Sequence, residues 1–384
     1  MSMDHVSEVM SGLRPLSRLD RPLEMVRQFT PNWFAATMGT GVLALILPQL
    51  PRVGATLRPL GEGLWWFDVA LFLLFSGLYG ARWVLFGHEA RRIFGHSVVS
   101  MFIGTIPMGL ATLLNGALAF ALPRFGGAVV PVVETFWWLD VAMSVACGVG
   151  IPYLMFTRQQ HSIDEMTAVW LLPVVAAEVA AVSGGLLAPH LSDPATQFIV
   201  LTTSYALWAY SVPVAFGILT LLILRMALHK LPPASVAASS WLALGPIGTG
   251  ALGMMVLGAD ALPIFAAHDL SGVGMIAQGM GVIAGVLLWG FGLWWLFLAM
   301  LITIRYFRAG IPFNLGWWGY TFPLGVYTVA TLRLGTTLHL AVFTAVGAVL
   351  AAALAAMWAV VMARTLHGGW RGHLFVSPCI ASTN

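Results

Sequence analysis

Charge is too scarce in this sequence for any fold that must face water on all sides. Only 9% of its 384 residues are Asp, Glu, Lys or Arg, while 59% are hydrophobic. A globular surface cannot be covered with polar groups from such a supply, so a lipid bilayer is the expected solvent. Eighteen basic against fifteen acidic residues give a net charge of +3 with no Lys/Arg-rich run, so no nucleic-acid partner is expected. Cys147 lies in an apolar stretch and Cys379 near the end, which makes neither a disulfide framework nor a metal cluster. Arg14, Arg18, Arg21 and Arg27 precede Trp33 with no uninterrupted apolar core between them, so a cleaved secretory signal is not expected.

About twenty mostly apolar residues are needed to cross the hydrocarbon core as a helix. At that length ten segments stand out, at 32–50, 64–86, 98–122, 132–156, 168–188, 197–224, 241–258, 273–303, 316–333 and 338–363. Short cytoplasmic loops collect Lys and Arg, which tests the count. With the N-terminus inside, the inside set is Arg14, Arg18, Arg21, Arg27, Arg82, Arg91, Arg92, Arg158, Arg225, Lys230, Arg305, Arg308, Arg364 and Arg371, and only Arg52, Arg58, Arg124 and Arg333 fall outside. Nine or eleven helices would put several of these clusters on the wrong face. The expectation is an all-α integral membrane protein of ten transmembrane helices with both termini cytoplasmic. It divides into a cytoplasmic segment 1–30, a ten-helix domain 31–365 and a cytoplasmic tail 366–384.

The odd segments are interrupted by residues that a soluble helix avoids. These are Gly39-Thr40-Gly41 in the first, Gly104-Thr105-Ile106-Pro107 in the third and Leu172-Pro173 in the fifth. The seventh has Pro246-Ile247-Gly248-Thr249-Gly250 and the ninth Thr321-Phe322-Pro323. A proline within the membrane kinks a helix and frees a carbonyl, which is tolerated beside protein or a water-lined cavity. The even segments carry Trp83, Trp208, Trp289 and Trp358 deep among Leu, Phe and Val, as lipid-facing helices do. Trp65-Trp66-Phe67-Asp68-Val69-Ala70 recurs 72 residues later as Trp137-Trp138-Leu139-Asp140-Val141-Ala142, and Gly39-Thr40-Gly41 as Gly248-Thr249-Gly250. The prolines at 107, 173, 246 and 323 are separated by 66, 73 and 77 residues, one helical hairpin each time. Parallel repeats of that kind predict five hairpins in a pseudo-fivefold ring, with kinked inner (odd) helices around a central pore and outer (even) helices as its wall.

Glu178 and Arg333 are the charged exceptions along the inner helices. The acidic rings of cation channels and the carboxylate relays of proton pumps are missing. Broken helices offer backbone N–H groups, and nearby Gly and Thr add close approach and hydroxyl donors. A narrow, weakly positive, mostly apolar pore for a small anion follows. Glu178 either couples anion movement to a proton or is a carboxyl packed between helices away from the axis. Arg333 either attracts anions at the outer mouth or snorkels to the interface. Asp68 and Asp140 are expected to cap or anchor helix starts. His96, His190, His268 and His339 lack metal-ligand spacing and read as loop or interface residues. No His-Glu-x-x-His, Gly-x-Ser-x-Gly or phosphate-binding loop occurs, so neither an enzyme, a cofactor site nor an ATP-driven pump is expected.

Phe29-Thr30-Pro31-Asn32-Trp33-Phe34 with Met38-Gly39-Thr40-Gly41, and Pro312-Phe313-Asn314-Leu315-Gly316-Trp317-Trp318-Gly319-Tyr320-Thr321-Phe322-Pro323-Leu324-Gly325, resemble the tellurite-resistance/dicarboxylate transporter family over roughly residues 25–365. That family includes the plant slow anion channels, fungal malate permeases and fungal sulfite efflux pumps. The resemblance implies five hairpins around a pore in each subunit of a homotrimer. It also implies a phenylalanine of the ninth helix that occludes the pore, here Phe322, whose alternative role is packing beside a proline. The long tails of the plant channels are missing, so their phosphorylation-controlled gating is not expected, and the second motif is closer to the malate and sulfite branch. Seventeen Arg to one Lys suggests a GC-rich bacterial gene and an inner membrane. The leading expectation is a permease for a C4-dicarboxylate such as malate, or for a sulfite or tellurite oxyanion. Against it stand a passive chloride or nitrate channel and, from another class, a membrane sensor with a vestigial pore.

Overall fold

The computed structural model describes residues 15–381, so Arg14 and the rest of the first fourteen residues lie outside it. Among the described residues the chain is helical with no strand. Ten longer helices coincide with the ten apolar segments: α1 Ala35–Ile46, α2 Gly54–Leu85, α3 Thr105–Gly116, α4 Val129–Thr157, α5 Leu172–Leu187, α6 Pro194–His229, α7 Leu244–Ala259, α8 Ser271–Ala309, α9 Phe322–Leu338 and α10 Ala341–Arg371. Among the described residues seven helical stretches are long and apolar enough to cross a membrane, and the segments of α1 and α9 are not among them. One of the seven, Val99–Thr157, contains both α3 and α4. At about 1.5 Å per residue it is far too long for a single crossing. It turns at Gly126, whose φ of +73° is open to glycine, and brings α3 and α4 side by side.

Odd and even helices occupy different environments. The apolar windows of the stretches containing α5 and α7 are 94% and 89% buried, against 17% for α2. The even helices turn Leu73, Phe156, Leu228, Leu287 and Val349 outward, an apolar surface suited to lipid. Among the odd helices, α1 packs on α3, α3 on α5, α5 on α7, α7 on α9 and α9 back on α1.

The interruptions in the odd segments have a common form that differs from a kink within a helix. Each inner α-helix is preceded by a 3-10 helix: Pro31–Phe34, Val99–Gly104, Ala168–Leu171, Ala234–Trp241 and Leu315–Tyr320. Pro107, Pro173, Pro246 and Pro323 all fall within the first three residues of the α-helix that follows. A proline there removes only an N–H that has no partner inside the helix. Gly39, Thr40, Gly41, Gly248 and Thr249 are not breaks either, because they lie inside continuous helix.

Two sets of polar links organise the bundle. Each even helix donates a tryptophan indole N–H to the next odd helix along the chain, and α10 donates back to α1. Trp65 reaches the Leu113 carbonyl at 3.1 Å, Trp137 that of Ala180 at 2.9 Å and Trp208 that of Gly250 at 3.0 Å. Trp289 reaches Thr331 Oγ1 at 2.9 Å and Trp358 reaches Thr40 Oγ1 at 3.0 Å. A buried indole N–H requires such an acceptor. The second set ties the far end of an even helix to the segment leading into the odd helix before it. Arg82 donates to the Phe29 carbonyl, Gln159 to that of Phe94 at 2.9 Å, Arg225 to that of Asp164 and Tyr306 to that of Pro232.

Asp68 and Asp140 do not cap helix starts. Helices α2 and α4 begin at Gly54 and Val129, well before the Trp pairs, which puts both carboxyls mid-helix and fully buried. Asp68 Oδ2 lies 3.5 Å from Thr112 Oγ1 of α3.

Candidate functional site

The five 3-10/α junctions converge on one cavity of about 460 Å³. Every inner helix contributes its first turn to the wall, through Ala35, Thr105, Leu172, Gly245 and Phe322. Polar groups come from Thr30, Asn32, Thr105, Ser235, Ser239, Asn314 and His373, and among the described residues no Asp, Glu, Lys or Arg lines it. The wall reaches no deeper than Met38 in α1, Met108 in α3, Val175 in α5, Gly245 in α7 and Pro323 in α9. Met38, Met108, Val175 and the 4%-exposed Phe322 belong to one buried apolar cluster at that depth.

The local chemistry favours an anion without a fixed countercharge. The five inner helices direct the positive ends of their dipoles at this space, while their first amides are taken up by the 3-10 turns before them, Ala35 N–H by the Asn32 carbonyl, Thr105 N–H by that of Phe102, Leu172 N–H by that of Val169 and Gly245 N–H by that of Leu242. Asn314 is held rigidly, its Nδ2 donating to the Ser235 carbonyl at 2.9 Å and its Oδ1 accepting from the Gly316 N–H at 2.8 Å. Thr105 donates to the carbonyl of Phe102 at 2.7 Å or to that of Pro31 at 2.9 Å. Below this polar collar the methionine, valine and phenylalanine floor offers nothing to replace the hydration of an ion, so it is a barrier.

Of the residues singled out in the sequence, the cavity brings together Thr105, Phe322 and Pro323, with Met38 of the first motif. The glycines act in packing instead. A Cβ on Gly39 would lie 2.3 Å from Thr321 Oγ1, one on Gly41 2.4 Å from Thr112 Oγ1, one on Gly104 2.4 Å from the Leu172 carbonyl and one on Gly248 2.8 Å from the Tyr327 nitrogen. They let neighbouring inner helices touch. Thr40 serves the Trp358 link. Thr249 is buried with no hydrogen-bond partner for its hydroxyl among the described residues, and Pro107, Pro173 and Pro246 lie outside the cavity wall. Arg333 is half-buried near the far end of α9. Glu178 lies beside Ser211 of α6, whose hydroxyl is committed to the Val174 carbonyl at 2.9 Å. Its carboxyl oxygens therefore have no hydrogen-bond donor among the described residues.

Sequence reasoning missed the amides and hydroxyls of the collar, Asn32, Ser235, Ser239 and Asn314, as well as His373. Asn32 and Asn314 each fall two to three residues into a motif already noted, as Pro31-Asn32 and Pro312-Phe313-Asn314. The remaining three sit in segments whose folding over the cavity has no local signature.

The family model described as "SLAC1: Voltage-dependent anion channel" matches residues 28–366. A sulfite efflux pump of Arthroderma otae is 36% identical over 91% of this chain and 93% of its own length. An uncharacterized transporter of Methanocaldococcus jannaschii is 27% identical over 94% of this chain and 99% of its own. A malic acid transport protein of Schizosaccharomyces pombe is 24% identical over 88% of this chain and 78% of its own.

Proposed function

The chain belongs to the voltage-dependent anion channel family, and from that premise we propose that it is a permease passing sulfite, or the monoanion of a C4-dicarboxylate such as malate, along the axis of its inner helices. The observation that carries this reading is the uncharged collar of five helix N-termini above an apolar floor. In this reading ten helices cross the membrane as five hairpins in pseudo-fivefold order. The cycle of contacts α1–α3–α5–α7–α9 and the five tryptophan links support it, since both recur once per hairpin. Residues 31–365 form the transport domain. Segments 1–30 and 366–384 lie on the cytoplasmic face of a bacterial inner membrane, and three copies assemble with a path in each.

Phe322 is the gate in this reading, being the largest side chain at the level where the cavity stops. Arg333, at the opposite end of α9, draws anions to the outer mouth. Glu178 packs toward α6 and away from the cavity wall, so Glu178→Gln is expected to leave the pH dependence of uptake as in the wild type; a changed pH profile would restore it as a coupling group. Sulfite relatives at 36% identity favour sulfite over a chloride channel. Flux into proteoliposomes from a panel of sulfite, malate, chloride and nitrate, with and without an imposed pH gradient, decides it. Sulfite or malate flux exceeding that of the halide supports the permease. Chloride current that reverses at its Nernst potential and ignores the pH gradient would make the protein a passive channel.

A further inference from the structure

The chain beyond α10 folds back over the cavity. After Arg371, Gly372 takes φ +87°, a turn that glycine accommodates, and His373, Leu374, Val376 and Pro378 then form one side of the cavity wall. This strap is fixed along its length. Arg18 N–H donates to the Arg371 carbonyl at 3.0 Å, and Phe375 stacks on Trp33 with 4.8 Å between ring centres. Ser377 N–H donates to Gln28 Oε1 at 2.8 Å, and its hydroxyl accepts from the buried Arg82 at 3.1 Å.

We propose that this strap is a wall of the anion path and that His373 is the specificity-determining residue through which pH on that side of the membrane sets anion affinity. The proposal rests on the anion-transport reading above. Among the described residues that line the cavity, His373 is the one titratable side chain. The groups that act on it are Arg18 from the N-terminal segment and His367 and Arg371 from α10. His373 is exposed on its outer side, and partial desolvation first, then His367, Arg18 and Arg371 beside it, hold its pKa below the ordinary histidine value of 6.5. The imidazole is therefore neutral at neutral pH. It takes up a proton as the pH falls, or as an arriving anion offsets the surrounding positive charge.

The experiment compares wild type, His373→Gln and His373→Arg as full-length chains in proteoliposomes, with equal pH on both sides and sulfite as the probe. Titration of sulfite itself is common to all three proteins and cancels in the ratio of apparent KM values. Between about pH 7.5 and pH 5 the ratio of the Gln variant's KM to that of wild type should rise about fivefold, and the Arg variant should keep a low KM throughout. A ratio that stays constant for both variants, in protein that still transports, overturns the role of His373. Absence of sulfite flux in the wild type overturns the sulfite reading instead.

Discussion

A methyl group added to Gly248 in α7 would lie 2.8 Å from the backbone nitrogen of Tyr327, whereas one on Gly77 of α2 or Gly150 of α4 would have nothing within 4 Å. The same residue type thus does different jobs at different faces. Gly104 and Gly248 bring the backbones of inner helices into contact, and outer glycines divide between those packed on an inner helix, as Gly281 is with the Met254 carbonyl 2.5 Å from an added methyl, and those such as Gly77 and Gly150 that have open space beside them. The difference shows that glycine content alone does not mark a pore. What matters is whether another backbone occupies the space beside the glycine, as at Gly104 and Gly248.

That contrast can be broken most severely at the contacts between inner helices. Gly104→Ala and Gly248→Ala should each destabilise the protein by about 2–3 kcal/mol because the intruding neighbour is backbone and cannot rotate away. Gly150→Ala should change stability by no more than about 0.5 kcal/mol, and thermal unfolding in detergent distinguishes them. Equal effects in both layers would remove the basis of the comparison. Next in size, Phe322→Ala should raise anion conductance about tenfold by opening the apolar floor. Unchanged currents from well-folded protein would assign Phe322 to packing alone.

The links between layers come third. Trp208→Phe removes the donor to the Gly250 carbonyl and should cost about 1 kcal/mol, while Trp138→Phe, at an outward-facing ring, should cost nothing measurable in the same unfolding assay. The smallest effect lies outside both layers, where Arg27 pairs with Glu89 at 2.8 and 2.9 Å. The hydrogen bond from Arg27 is the largest cause holding the Glu89 carboxyl below its ordinary pKa of 4.5. A depressed carboxylate stabilises the fold above its unfolded pKa and loses that contribution as the pH falls through its folded value. Glu89→Gln should therefore lower stability by up to about 1 kcal/mol at pH 7, discounted for solvent exposure, and the deficit should vanish once the pH has fallen through the depressed folded value. A deficit that persists in acid would show that the pair acts through packing.

The alternation of segments was legible because lipid and protein select different side chains on a fixed period. Trp208, Trp289 and Trp358 were visible as deep residues of even segments. Their membership in one series with Trp65 and Trp137, recurring at intervals of roughly 70–80 residues, is a repeat signal that the Trp-Trp pairs obscured. Asp68 and Asp140 were misplaced because a tryptophan pair resembles a membrane interface. The helices in fact start upstream, and each carboxyl faces the protein. The proline spacing revealed the hairpins but suggested kinks, since sequence cannot tell a proline within a helix from one in its first turn.

The sequence by itself determined the solvent, the ten apolar segments and the layer to which each belongs, because the supply of charge and the cost of burying it act on every residue independently of the rest of the chain. Only the tertiary structure decided which residues surround the cavity. Phe322, Thr105, Asn32 and His373 come from four distant parts of the chain, and their meeting depends on backbone-to-backbone contacts at Gly104 and Gly248 and on a strap that turns at Gly372. Such contacts are set by the path of the whole chain, and no local propensity specifies them.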